Sequence, residues 1–272
     1  MIRELALLAG AVQAADLVVV SATIHQTDGG AAAGPAIAFT PGETIYFRAV
    51  LDGYKTTPQR RVKIRYRIEA TDPAGVPIVE AETGQVDAEL RDEDKGWKPV
   101  ARREIAIPAL AGSGTYRVRL EATDEASGVT VSREAAFRVS GRDVEPSDTL
   151  QVRNIQFFRS EEEAAALRTV AYRPGDVVWT RFDIIGYKLG EANRVHVSFR
   201  IRVTGPGGRL LWQQEEPTVE DSASFYPKRY VPCTINLTLQ SNIRPDEYII
   251  EITVRDHVGG QEQVVRPAFR VE

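Results

Sequence analysis

The side chains best suited to covalent or metal chemistry are three histidines and a single cysteine, and their spacing argues against catalysis. His25, His196 and His257 fall on different expected strands or turns, so the sequence gives no reason for them to meet, and His196 is expected on a solvated strand face. Cys233 follows Pro232 with no evident histidine partner to activate a thiolate. No Gly-x-Ser-x-Gly elbow, phosphate-binding glycine loop or His-Glu-x-x-His helix occurs. One cysteine also excludes an intrachain disulfide and a cysteine-rich zinc module. Asp92-Glu93-Asp94 and Glu220-Asp221 carry carboxylates that suit Ca²⁺, but that ion takes about six to eight oxygens. No spacing here assembles such a set, so both runs read as solvated acidic loops and no cofactor is called for.

Noncovalent binding suits the residues better. Glu220 to Tyr230 forms a run in which Phe225, Tyr226 and Tyr230 alternate with Lys228 and Arg229. Aromatic and cationic side chains dominate binding hot spots, and loops on a rigid scaffold are where binding concentrates. Together with Trp97, these form the candidate binding set: Trp97, Phe225, Tyr226, Lys228, Arg229 and Tyr230. The alternative for the run is a long loop folded back over an open sheet edge. The strand at 61–67 places Arg61, Lys63, Arg65 and Arg67 on one face, which is either an anion-binding surface or a charge ladder. A hairpin register set by Asp72-Pro73-Ala74-Gly75 pairs Arg67 with Glu80 and Arg65 with Glu82, and favours the ladder. Each such ion pair contributes about 0.2–1 kcal/mol.

The elements that must position these residues come from an internal repeat. Pro41-Gly42-Glu43 recurs as Pro174-Gly175-Asp176, and the same shift of 133 residues carries Gly53-Tyr54-Lys55 onto Gly186-Tyr187-Lys188. Near the end the shift becomes 132, bringing Tyr116 onto Tyr248, Asp124 onto Asp256 and Ala136-Phe137-Arg138-Val139 onto Ala268-Phe269-Arg270-Val271. The expected organisation is two copies of one domain, 15–141 and 147–272, joined by a short linker at 142–146.

Within each copy the hydrophobic period is two. Val62, Ile64, Tyr66 and Ile68 alternate with the cations, and Tyr248, Ile250, Ile252 and Val254 alternate with Ile249, Glu251, Thr253 and Arg255. One face is buried and the other wet, which argues for antiparallel sheets. Tyr46, Arg48, Trp179 and Arg181 fall out of phase with the apolar set and are expected on an outer face. About seven short strands per copy, punctuated by Gly- and Pro-containing turns, read as a β-sandwich. The stretch Gly114-Thr115-Tyr116-Arg117-Val118-Arg119-Leu120-Glu121-Ala122-Thr123-Asp124 resembles the penultimate strand of bacterial extracellular immunoglobulin-like modules. In that resemblance Tyr116 and Tyr248 take the place of a corner tyrosine. Phe39-Thr40-Pro41-Gly42-Glu43 and Tyr172-Arg173-Pro174-Gly175-Asp176 resemble the Pro-Gly-acidic turn of macroglobulin-like and fibronectin-III-like bacterial domains. The resemblance implies an all-β chain of two tandem immunoglobulin-like sandwiches. It implies no chemistry, since a Cys-Gly-Glu-Gln thioester motif is missing.

Residues 1–14 form a candidate signal peptide, with an apolar core from Leu5 to Val12 and small residues at Val12 and Ala14 before the expected cut; an ordinary apolar tail is the alternative. No other run approaches the ~20 apolar residues of a membrane span. Over 272 residues the net charge is −4, so whole-chain nucleic-acid binding has no support from composition. These features together point to a noncatalytic secreted or periplasmic protein that binds another envelope or extracellular protein. The alternatives are a carbohydrate-binding module using Trp97, Trp179 or Trp212, with a polysaccharide as partner, and a protease-inhibitor-like module acting through one loop. The sequence leaves the oligomeric state open.

Overall fold

The computed structural model describes residues 16–272; the candidate signal peptide lies outside the described residues. The chain divides into two compact units between Arg142 and Asp143.

The first unit contains β1 (Val18–His25), β2 (Ala38–Phe39), β3 (Thr44–Asp52), β4 (Arg61–Thr71), β5 (Glu82–Glu89), β6 (Val100–Ala106), β7 (Gly114–Asp124) and β8 (Thr130–Val139). They form a three-stranded sheet in the order β1-β3-β6 and a five-stranded sheet in the order β2-β8-β7-β4-β5. The second unit contains β9 (Gln151–Phe158), β10 (Ala171–Tyr172), β11 (Val177–Ile185), β12 (Val195–Thr204), β13 (Leu210–Gln213), β14 (Thr218–Ser222), β15 (Tyr230–Thr238), β16 (Asp246–Asp256), β17 (Glu262–Val265) and β18 (Ala268–Val271). Its sheets run β15-β11-β9 and β10-β18-β16-β12-β13, with β14 also on β12 and β17 also on β16. Each unit is thus a β-sandwich with immunoglobulin-like strand order. Pairing is antiparallel except for β2 with β8 and β10 with β18, two-residue parallel pairs that the alternation pattern does not reveal.

The core follows the period-two pattern. Ile45, Phe47, Ala49 and Leu51 of β3 and Val62, Ile64 and Ile68 of β4 are all buried, as are Val195, Val197, Phe199 and Ile201 of β12. Each of these Val, Ile, Leu and Phe side chains contributes about 1.5–3 kcal/mol when fully buried. The corner tyrosines close the same loop in both units: Tyr116 donates to the Gly112 carbonyl at 3.0 Å and Tyr248 to the Arg244 carbonyl at 2.7 Å.

The Pro-Gly-acidic turns also match. The Glu43 carboxylate accepts from Thr40 N–H and the Asp176 carboxylate from Arg173 N–H, each at 2.7 Å. Gly42 and Gly175 take φ values of 87° and 91°, a conformation that favours glycine.

The β4–β5 register differs from the expected one. Arg67 faces Thr83 and Arg65 faces Gln85, so the strand is displaced by three residues from the expected pairing with Glu80 and Glu82. The reason is local. The displacement begins at the turn, where Thr71 bridges Pro77 and the N–H of buried Ile78 reaches the Ala70 carbonyl, and it grows where Arg103 of β6 takes the carbonyls of both Ile68 and Glu80. Those carbonyls are lost to the ladder, and pairing resumes only at Glu82. An odd slip exchanges the faces, so Glu82 turns toward the Arg103 guanidinium at 3.4 Å. The cations of β4 are neutralised by other carboxylates: Arg61 by Asp87, Arg65 by Glu125 and Arg67 by Glu69.

One buried carboxylate per unit ties the β3–β4 connection to the turn after the penultimate strand. Asp124 accepts from Lys55 N–H, Ala126 N–H and Ser127 O–H; Asp256 accepts from the N–H groups of Lys188, Val258 and Gly259. Both carboxylates are fully buried. Replacing Asp256 with Ala strands three donors and is expected to lower the unfolding free energy of the second unit by about 3 kcal/mol. Chemical denaturation of D256A measures this, and a loss below about 1 kcal/mol contradicts the assigned role.

Candidate functional site

The repeated Gly-Tyr-Lys element positions the connection in which the two units diverge in sequence, Asp92-Glu93-Asp94-Lys95-Gly96-Trp97 in the first and the run from Glu220 to Tyr230 in the second. Tyr54 donates through its hydroxyl to the Trp97 carbonyl at 2.9 Å, and Tyr187 to the Lys228 carbonyl at 2.7 Å. Burial pushes the pKa of both phenols up, which keeps them neutral donors. Lys55 and Lys188 are exposed and contribute their backbone N–H instead. The repeat is therefore an anchor for the connection.

In the first unit that anchor leaves Trp97 half-buried, edge-on to Tyr54 with ring centroids 5.9 Å apart. The two line an open depression of about 530 Å³ with Asp52, Arg60, Asp92 and Asp94. Its carboxylates are already committed: Asp52 to Lys98, Asp92 to Arg60 and Asp94 to the Arg91 N–H. The Lys98 hydrogen bond holds the Asp52 carboxyl below its ordinary range, followed by the Gly53 N–H.

In the second unit the expected loop from Glu220 to Tyr230 is shorter. Glu220, Asp221 and Ser222 belong to β14, and Tyr230 opens β15. Tyr226 is 8% exposed and Tyr230 6%. Lys228 is held by Glu220 and the Ser222 hydroxyl, each at 2.7 Å. Phe225, at 50%, and Arg229 are the exposed members of the set. Trp97 belongs to the first unit and the other five residues to the second. Among the tryptophans of the second unit, Trp179 is half-buried on β11, whose Arg181 lies over the Phe158 ring at 4.1 Å rather than against Trp179.

The histidines depart from expectation. His196 and His257 stack with ring centroids 4.4 Å apart, because β12 pairs with β16 so that Val197 faces Asp256. The His257 N–H also donates to the His196 carbonyl. Ser198 Oγ lies 2.8 Å from His257 Nε2, but Ser198 is buried and lacks the access a nucleophile needs. Asp221, opposite His196, is gripped by Arg194 through two bonds of 2.6 Å, which lower its pKa. His25 is a packed residue bridging Thr23 Oγ1 and the Gly30 carbonyl. Among the described residues no group of three or more His, Cys, Asp or Glu is placed to hold a metal ion, and no helix is long and apolar enough to cross a membrane.

The feature that sequence reasoning missed is a sheet edge. The turn at Gly207 and Gly208 sends the chain back as β13 on β12, and the Gln214–Pro217 jog separates it from β14 on the same strand. Leu210, Trp212 and Val219 along this edge are 48%, 47% and 51% exposed. Leu211 sits at a bulge with its side chain beside Gly205. The corresponding edge of the first unit, β5, reads Glu-Thr-Gly-Gln-Val-Asp-Ala-Glu, and its Gly84 leaves room for the Tyr66 ring. β1 also exposes Val18 and Val20, but its ladder is broken by a bulge at Val20. The available signal was Leu210-Leu211-Trp212, three consecutive apolar residues that break the alternation.

No family model matches the chain, and no curated protein matches it. Among solved structures it is similar to the C-terminal domain of the Streptococcus pyogenes antigen I/II-family protein AspA, at 11% identity over 95% of this chain and 99% of that one, with a TM-score of 0.34. It is also similar to the C-terminal domain of the Streptococcus agalactiae antigen I/II polypeptide BspA, at 9% identity over 92% and 99%, with a TM-score of 0.32. Likeness at this level carries no argument about function, and the fold rests on the sheets described above.

Two measurements check the chemistry assigned here. Burial, then the negative charge of Asp183 and Glu220, pushes the Cys233 thiol up to about 12. Cys233 is therefore expected to resist thiol reagents at mildly alkaline pH until the unit unfolds, and reaction within mixing time contradicts this. The Lys228 hydrogen bond, then that of Ser222, lowers the Glu220 pKa. A depressed folded pKa gives stability that is full above the ordinary carboxylate range and is lost as pH falls through the lowered value. Wild type and Glu220→Gln should thus differ in stability at neutral pH and converge in acid; an unchanging gap contradicts the ion pair.

Proposed function

We propose that the chain is a noncatalytic, exported protein of two duplicated β-sandwich domains whose second unit binds another protein through the β13–β14 edge. The observation that carries this reading is the contrast between equivalent edges. β5 of the first unit is polar, with Asp87 paired to Arg61 at 2.5 Å. The β13–β14 edge of the second unit presents Leu210, Trp212 and Val219 to solvent.

An exposed apolar edge is a hazard that soluble proteins suppress with charge, bulges or cover. Its presence on one unit, beside a protected counterpart on the other, is the pattern of a binding surface. An open edge supplies backbone groups for strand addition, and the side chains on either face supply selectivity. The exposed Phe225 belongs to the same unit and is the part of the divergent loop available to the same partner. The partner expected is a protein of the envelope or extracellular space. The noncatalytic reading follows from the buried Cys233 and Ser198.

Cross-linking of the tagged full chain in its source cells tests this. One dominant protein should be captured by wild type and lost, by at least tenfold, from Trp212→Lys. Capture unaffected by that substitution overturns the edge assignment, and retention in the insoluble polysaccharide fraction that disappears with Trp97→Ala replaces it with a glycan-binding reading.

A further inference from the structure

The charges around β13 identify a specific occupant for this edge. Arg209 immediately precedes the strand, and Glu215 and Glu216 closely follow it. All three are exposed, and no ion pair to any of them is made among the described residues. The segment therefore runs from one cation, through Leu210-Leu211-Trp212-Gln213-Gln214, to two anions. Such a segment is complementary to itself when reversed.

The backbone is open on the required side. β13 is the terminal strand of its sheet. The Gln214 N–H turns inward to the Ile201 carbonyl at 2.9 Å. Alternation along an antiparallel ladder then directs the N–H and C=O of Gln213 away from β12.

We infer that the partner on this edge is a second copy of the chain, joined by antiparallel β13–β13 pairing about a twofold axis near Trp212. This deepens the reading proposed above and rests on it. In this arrangement Arg209 of each copy faces Glu215 and Glu216 of the other. The two Trp212 side chains meet at the axis, where they lose solvent together. A parallel arrangement would instead set like charges side by side, so the pattern selects both the partner and its direction. The interface is isologous and closes at two copies, which caps the growth that an open edge otherwise permits. Both ion pairs are exposed, so association should weaken as salt rises.

Sedimentation velocity of the full chain over a range of concentrations tests this. Wild type should pass reversibly from monomer to dimer. Gln213→Pro, which removes an outward donor without removing a bond to β12, should weaken dimerisation at least tenfold. Arg209→Glu alone, and Glu215→Lys with Glu216→Lys alone, should each be monomeric, and mixing the two should restore a heterodimer. These three side chains are exposed, so the swap leaves the fold intact. A wild type that stays monomeric at every concentration overturns the inference, as does a mixture that fails to pair. If the chain is monomeric while Trp212→Lys still abolishes capture of a different protein in cells, the edge remains a binding surface and only the second copy is excluded.

Discussion

A sandwich of two open sheets cannot satisfy its outermost strands from within, and the disposal of those edges is the constraint around which this chain is organised. The first unit meets it with polarity and distortion. β5 carries carboxylates, one of them paired to Arg61, and β1 is bulged at Val20. The second unit has the same frame and treats the equivalent edge differently, splitting it into β13 and β14 and leaving Leu210, Trp212 and Val219 in solvent. Two units with one strand order thus differ most where a sandwich is most available to other chains.

That difference is affordable because the rest of each unit is tightly determined. Asp124 and Asp256 each gather three donors at one end of the sandwich, and Tyr116 and Tyr248 close the corner at the start of the same strands. Tyr54 and Tyr187 then hold the divergent connection by a backbone carbonyl, which is insensitive to the side chains it carries. Sequence can change in that connection without loosening the frame. Within the same frame Cys233 is buried in the core, and the buried Ser198 hydroxyl is hydrogen-bonded to His257 Nε2.

The strands and their faces were legible because burial imposes a period of two and the recurring segments of the sequence could be read against each other. The corner tyrosines and the Pro-Gly-acidic turns were legible for the same reason. What the sequence could not reveal depends on contacts between distant segments. The β4–β5 register departs from the simple hairpin at its turn and again where Arg103, a residue of another strand, captures two carbonyls of the hairpin. The His196–His257 stack depends on the β12–β16 register. Tyr226 and Tyr230 look like exposed aromatics until β14 and β15 bury them. Trp212 entered the sequence reading only as a candidate sugar contact, because its exposure follows from the position of β13 at the end of its sheet.

Amide hydrogen exchange of the β13 segment as a function of protein concentration tests the central claim most directly. If this edge is the binding surface and a second copy its occupant, the Gln213 amide exchanges freely in dilute solution and gains protection as concentration rises, while the amides of β5 stay unchanged. Protection of Gln213 that is the same at every concentration, or a gain shared equally by β5, contradicts it.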